Sequence, residues 1–132
     1  MAGYTYKNLR TDVTDSAPRF GLGDSMEAHF ARNALDCERS GISYQKLGPG
    51  FRVPFGHSHA EQEEIYVVLS GSGRARLDDE FVDLEPLDAL RVAPATVRAI
   101  EAGPDGIELI AFGAPRTPEN DAAMLPGWWA DS

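Results

Sequence analysis

A chain of 132 residues suits one domain, and its 42% apolar residues are enough for a core. The 21 Asp and Glu against 12 Lys and Arg leave a formal charge of −9, a surface that repels phosphate backbones and anionic lipid, which argues against nucleic acid and membranes as partners. Cys37 is the lone cysteine, so no intrachain disulfide forms, and neither an apolar leader nor an apolar run long enough to span a bilayer is present; the chain reads as cytoplasmic.

Residues 1–25 are polar, with Gly and Pro around Ala17–Asp24, and read as an irregular arm. Met26–Asp36 fits either a short helix or a first strand. From Ser40 onward, short apolar segments alternate with turn signals. Ile42–Leu47 lies between Ser40-Gly41 and Gly48-Pro49-Gly50. Glu64–Leu69 is closed by Ser70-Gly71-Ser72-Gly73, and Arg74–Leu77 leads through Asp78-Asp79 into Phe81–Leu84. Ala89–Val92 follows Pro86-Leu87-Asp88, then come Val97–Glu101 and, past Gly103-Pro104-Asp105-Gly106, Ile107–Gly113. Short strands punctuated this way predict an all-β sandwich or barrel. The expected organisation is an arm over 1–41, a barrel over 42–113 and a tail over 114–132. Trp128 and Trp129 in that tail are costly to leave in water and are expected to pack on the barrel or on a second subunit, with a homodimer the preferred assembly.

The chemistry is concentrated in Gly56–Gly71. Side chains alternate along a strand, so His57 and His59 share a face with Cα atoms roughly 7 Å apart. Glu64, Tyr66 and Val68 share a face by the same parity, and a turn over Ala60–Glu63 brings Glu64 beside the imidazoles. Two His and a carboxylate with open positions suit non-haem Fe, and equally Mn, Ni, Co or Zn. Tyr66 either directs its hydroxyl into the pocket or serves as a core aromatic. Glu63 is expected in solvent. Gln45 and Arg91 either line a pocket or face water, and Cys37 reads as a small buried hydrophobe.

The stretch resembles the first cupin motif: His-X-His, a Glu after three or four residues, and a Gly after six more. Glu64 and Gly71 match, while Phe51 stands where the leading Gly belongs. Leu87–Ala99 resembles the second motif at Asp88 and Pro94, but Thr96 replaces its Gly and Ala99 its His, the usual fourth ligand. The resemblance spans about residues 42–113 and implies an antiparallel double-stranded β-helix, the jelly-roll barrel, with His57, His59 and Glu64 as metal ligands. With Ala99 at the fourth position, three arrangements follow: three protein ligands completed by water, a fourth ligand from elsewhere such as His29, or a metal-free pocket for an organic ligand. By the same alignment Arg98 points to the opposite face, into a surface ion pair. A metal-dependent enzyme on a small molecule, a non-catalytic small-ligand module and a structural protein all remain compatible with this fold.

Overall fold

The computed structural model describes residues 3–118 and 121–131, so residues 1–2, 119–120 and 132 of the expected arm and tail lie outside the described residues. Its strands are β1 (Met26–Phe30), β2 (Gly41–Leu47), β3 (Phe55–His59), β4 (Glu63–Leu77), β5 (Glu80–Leu84), β6 (Ala89–Val92), β7 (Arg98–Ala114) and β8 (Ala122–Pro126). They form one eight-stranded antiparallel sheet, ordered β1-β2-β7-β3-β8, with β4 pairing β5, β6 and β7. The sheet is curled, and its concave face holds the core. Leu47, Val68, Val92, Ile107 and Leu109 are among its most buried side chains, each on the inward parity of its strand.

The segmentation differs from expectation at two places, both governed by glycine. Ser70–Gly73 and Gly103–Gly106 do not end strands; β4 and β7 run straight through them. The two breakers lie side by side, with Gly71 opposite Ile107 and Gly73 opposite Ala102, and the register shifts there. Gly71 and Gly106 take φ of +75° and +79°. A Cβ on Gly71 would collide with the Gly106 carbonyl oxygen. Breakers on neighbouring strands bend the ladder rather than end it, as paired bulges do. That bend carries β4 and β7 from one half of the barrel to the other.

Met26–Asp36 resolves as a strand that stops at Phe30, followed by a turn with Asp36 at φ +55°. The sheet reaches beyond residues 42–113 at both ends: β1 pairs with β2, and β8 with β3. The arm is clamped to β1. Arg10 donates to both carboxylate oxygens of Glu27 (3.1 and 2.8 Å), and Asp15 Oδ1 accepts the amides of Ala17 and Ala28. The hydrogen bonds from Arg10 and His29 hold the Glu27 carboxyl at about 2, against the cost of its burial.

The tail closes the outside of the barrel. Trp129 is buried on the chain's own β-sheet, its Nε1–H donating to the Val53 carbonyl (2.6 Å) under the Arg52 guanidinium 4.4 Å from the ring. Arg76 stacks 4.1 Å from the Trp128 ring, which lies so close to Gly56 that a Cβ there would sit 2.7 Å from it. The barrel buries Trp129 and half-buries Trp128.

Two outcomes check this account. Gly71→Ala is expected to lower unfolding stability by about 2 kcal/mol in urea titrations, from strain plus collision, whereas Gly21→Ala, at similar φ but in open space, costs about 1 kcal/mol. Equal losses contradict the role given to the β4–β7 bend. Glu27, whose carboxyl is lowered on folding from 4.5 to about 2, adds stability that is present above the higher value and lost as pH falls through the lower one. Glu27→Gln should flatten the acid limb of stability in that window, and an unchanged limb removes the clamp.

Candidate metal centre

β3 directs His57 and His59 to one face, and β4 begins so that Glu64, opposite Val92 and Gly113, shares the inner face with Tyr66 and Val68. The parity read from sequence holds for all four polar residues. Both imidazole Nε2 atoms lie 3.2 Å from Glu64 Oε1, and the rings stand edge to face with centroids 5.1 Å apart. Tyr66, only 3% exposed, donates its hydroxyl to the same oxygen (3.0 Å), so it is a core aromatic and a site residue at once.

The proton count at this oxygen bears on what the site can hold. His59 Nδ1 lies 3.0 Å from Asp121 Oδ2, a carboxylate that only accepts, so Nδ1 carries the proton. In the neutral ring, Nε2 then presents a lone pair to Glu64 Oε1, and acceptor faces acceptor. A second proton on the ring or a metal ion between them would relieve that contact. The spacing suits either. Adjacent ligand atoms of an octahedral ion, each about 2.1–2.2 Å from it, are about 3.0–3.1 Å apart. His57, His59 and Glu64 can therefore hold a metal ion. Burial alone would raise the Glu64 carboxyl, but hydrogen bonds and charge from His57 and His59 outweigh it and hold the group well below the usual carboxylate range. Tyr66 moves the other way: burial and the Glu64 charge keep its phenol protonated, a donor throughout.

The fourth-ligand assignment needs correction. Arg98, not Ala99, faces the site. It pairs with His57, is wholly buried, and donates from one terminal nitrogen to Glu64 Oε1 (3.1 Å) and from the other to the Ala93 carbonyl (2.7 Å). Ala99 lies opposite Arg76 on the other face, beneath the tryptophans. The turn after Pro94 is the cause. It is tied down by His59 N–H on the Pro94 carbonyl and Val97 N–H on Asp78 Oδ1, and it delivers the strand one residue earlier than alignment through Thr96 implies. A one-residue slip reverses every side chain. His29 does not complete the set: it sits opposite Tyr44 on the outer face, its nitrogens engaged by Val13 (2.7 Å) and Glu27 (3.0 Å). Asp15, Glu27 and His29 form a second group with metal-like spacing, but Arg10 already neutralises Glu27 there.

Glu63 pairs with Arg91 in solvent (3.0 Å), Gln45 donates to Ser43, and Cys37 is half-buried and free. Asp121 was not anticipated. It follows Pro118 in a polar tail with no strand pattern, and only the return of β8 beside β3 brings it to His59, where it also accepts the amides of Glu61 and Gln62. Those amides and His59 hold its carboxyl below its ordinary value although burial opposes them.

No family model matches the chain, and no curated protein matches it. Solved structures do. A cupin protein from Bacteroides fragilis is 27% identical, with a TM-score of 0.71 over 92% of this chain and 95% of that one. KdgF from Halomonas sp. is 19% identical, with a TM-score of 0.69 over 90% and 99%. Oxalate decarboxylase from Bacillus subtilis is 22% identical, with a TM-score of 0.69 over 82% of this chain but only 30% of that larger one.

Asp121 should govern the His59 tautomer. Nitrogen-15 NMR of the metal-free protein in alkaline solution is expected to show the Nδ1–H form, and Asp121→Leu to lose that preference. An unchanged tautomer in the variant contradicts the assignment.

Proposed function

Because the chain is a small single-domain cupin, we propose that it binds a small organic ligand through a divalent transition metal held by His57, His59 and Glu64. The observation that carries this reading is the lone pair of His59 Nε2 facing Glu64 Oε1, with Asp121 fixing the ring behind it. Fe, Mn, Ni, Co and Zn all suit two imidazoles and a carboxylate, and positions not taken by protein are left for water or ligand. Such an ion polarises a bound oxygen and lowers the pKa of bound water. The chain's own groups act around it. Tyr66 and Arg98 each donate to Glu64, keeping the carboxylate ionised and fixed in direction, as outer hydrogen bonds do for metal ligands. The same fold supports an assembly reading. Ile42, Phe112 and Ile65 align across β2, β7 and β4 on the outer face, an apolar row suited to a homodimer.

A second reading has its own support. The Arg98 guanidinium already neutralises Glu64, so the barrel is chemically self-consistent as a metal-free ligand-binding or structural module.

Metal loading separates the two. Protein freed of metal, loaded in turn with each of the five ions and desalted, is expected to retain about one ion per chain for at least one of them, with His57→Ala weakening affinity more than about a hundredfold. Ligands must be deprotonated to coordinate, so occupancy should fall on acidification. If no ion is retained, the metal-free reading stands.

A further inference from the structure

Two glycines on adjacent strands lie in register with Glu64 on the inner face: Gly113 opposite Glu64, and Gly41 opposite Gly113. Neither space is empty. The Gln62 carboxamide is folded over Gly113, where a Cβ would lie 2.5 Å from its Cδ, and the aliphatic stem of Arg32 rests 3.7 Å from the Cβ position of Gly41. Both side chains are anchored to one backbone segment. Gln62 donates to the Pro115 carbonyl (3.3 Å) and Arg32 to the Thr117 carbonyl (2.7 Å). Among the described residues each is held by a single hydrogen bond, which leaves further N–H groups for a ligand.

Arg32 is half-buried, and among the described residues no carboxylate pairs with it, although the chain carries 21 acidic residues against 12 basic ones. Arg10, Arg52, Arg74, Arg91 and Arg98 have acidic partners; Arg76 and Arg116, like Arg32, are held by carbonyl oxygens, but Arg32 alone of these three rests against a glycine in register with Glu64. A partly desolvated guanidinium and a carboxamide, packed against glycines on neighbouring strands, make a recognition pair for a planar anion, which accepts two parallel N–H bonds. Gly41 and Glu64 are two strand spacings apart, about 10 Å between Cα atoms, a gap that the side chains shorten and a small molecule spans.

We infer that Arg32 and Gln62 form a carboxylate-recognition subsite beside Glu64, so that the ligand is a small organic anion with one carboxylate on Arg32 and Gln62 and a second oxygen group directed to His57, His59 and Glu64. The second anchor rests on the metal reading; the subsite itself does not.

The test is calorimetric titration of malonate, succinate and glutarate, and of their diamides, into the full chain, zinc-loaded and metal-free, with zinc content measured for each protein. At least one dicarboxylate is expected to bind the zinc-loaded chain at least about tenfold more tightly than its diamide. Arg32→Gln, which keeps an amide donor and removes the charge, should remove about tenfold of that affinity at unchanged zinc content, and Gln62→Met a smaller part. Binding that is equal in wild type and both variants, a lack of preference over the diamides, or no binding by any of the three acids overturns the inference. If the wild type retains no zinc, the metal reading fails separately. The subsite then stands only if the metal-free chain shows the same loss on Arg32→Gln, and falls if it does not.

Discussion

One oxygen atom, Oε1 of Glu64, is approached by His57, His59, Tyr66 and Arg98, all within 3.2 Å. A buried carboxylate is costly unless its charge is met by donors or cations. Here each approaching group comes from a fixed strand position, so the requirement to satisfy this oxygen ties β3, β4 and the start of β7 into one geometry. Arg98 supplies a permanent charge that no change of pH removes. The imidazoles supply an interchangeable one, a proton or a metal ion, and that interchangeability is the chemical capacity of the site.

The rest of the barrel keeps those strands in place. The paired glycine bulges let β4 and β7 each serve both halves of the sheet, so the segment carrying Glu64 and the segment carrying Arg98 belong to long, mutually hydrogen-bonded strands. On the outside, Trp128 packs against Gly56, the residue before His57, and Trp129 caps the Val53 carbonyl. The tail thus presses β3 from behind while β8 delivers Asp121 to His59. Burial of an indole of this size is worth roughly 5 kcal/mol of apolar transfer. Support for the centre therefore comes from residues far from it in sequence.

How much of this was legible in the sequence depended on whether the signal was local. His57, His59, Glu64 and Tyr66 fall within ten residues; period-two alternation paired His57 with His59 and Glu64 with Tyr66, and the turn over Ala60–Glu63 joined the two pairs. The spacing of turn residues pointed to an all-β sandwich or barrel, and the resemblance to the cupin motifs chose the barrel. Arg98 was misplaced because parity was counted through a turn whose length is set by tertiary hydrogen bonds to Asp78 and His59, and motif spacing carries no such information. The glycine runs at Ser70–Gly73 and Gly103–Gly106 read as loops because each was seen singly; their meaning as bulges appears only when they are neighbours. Asp121 had no local signal, since its role is created by strand pairing across more than sixty residues.

The central claim is that the His59 Nε2 lone pair facing Glu64 Oε1 marks a metal-binding set rather than a closed hydrogen-bond network. X-ray absorption spectroscopy on the chain loaded with its retained ion tests this most directly. The account predicts a first shell of nitrogen and oxygen atoms at about 2.1 Å with outer-shell scattering from two imidazoles. A shell lacking imidazole scattering, or one unchanged in His59→Ala, would contradict it.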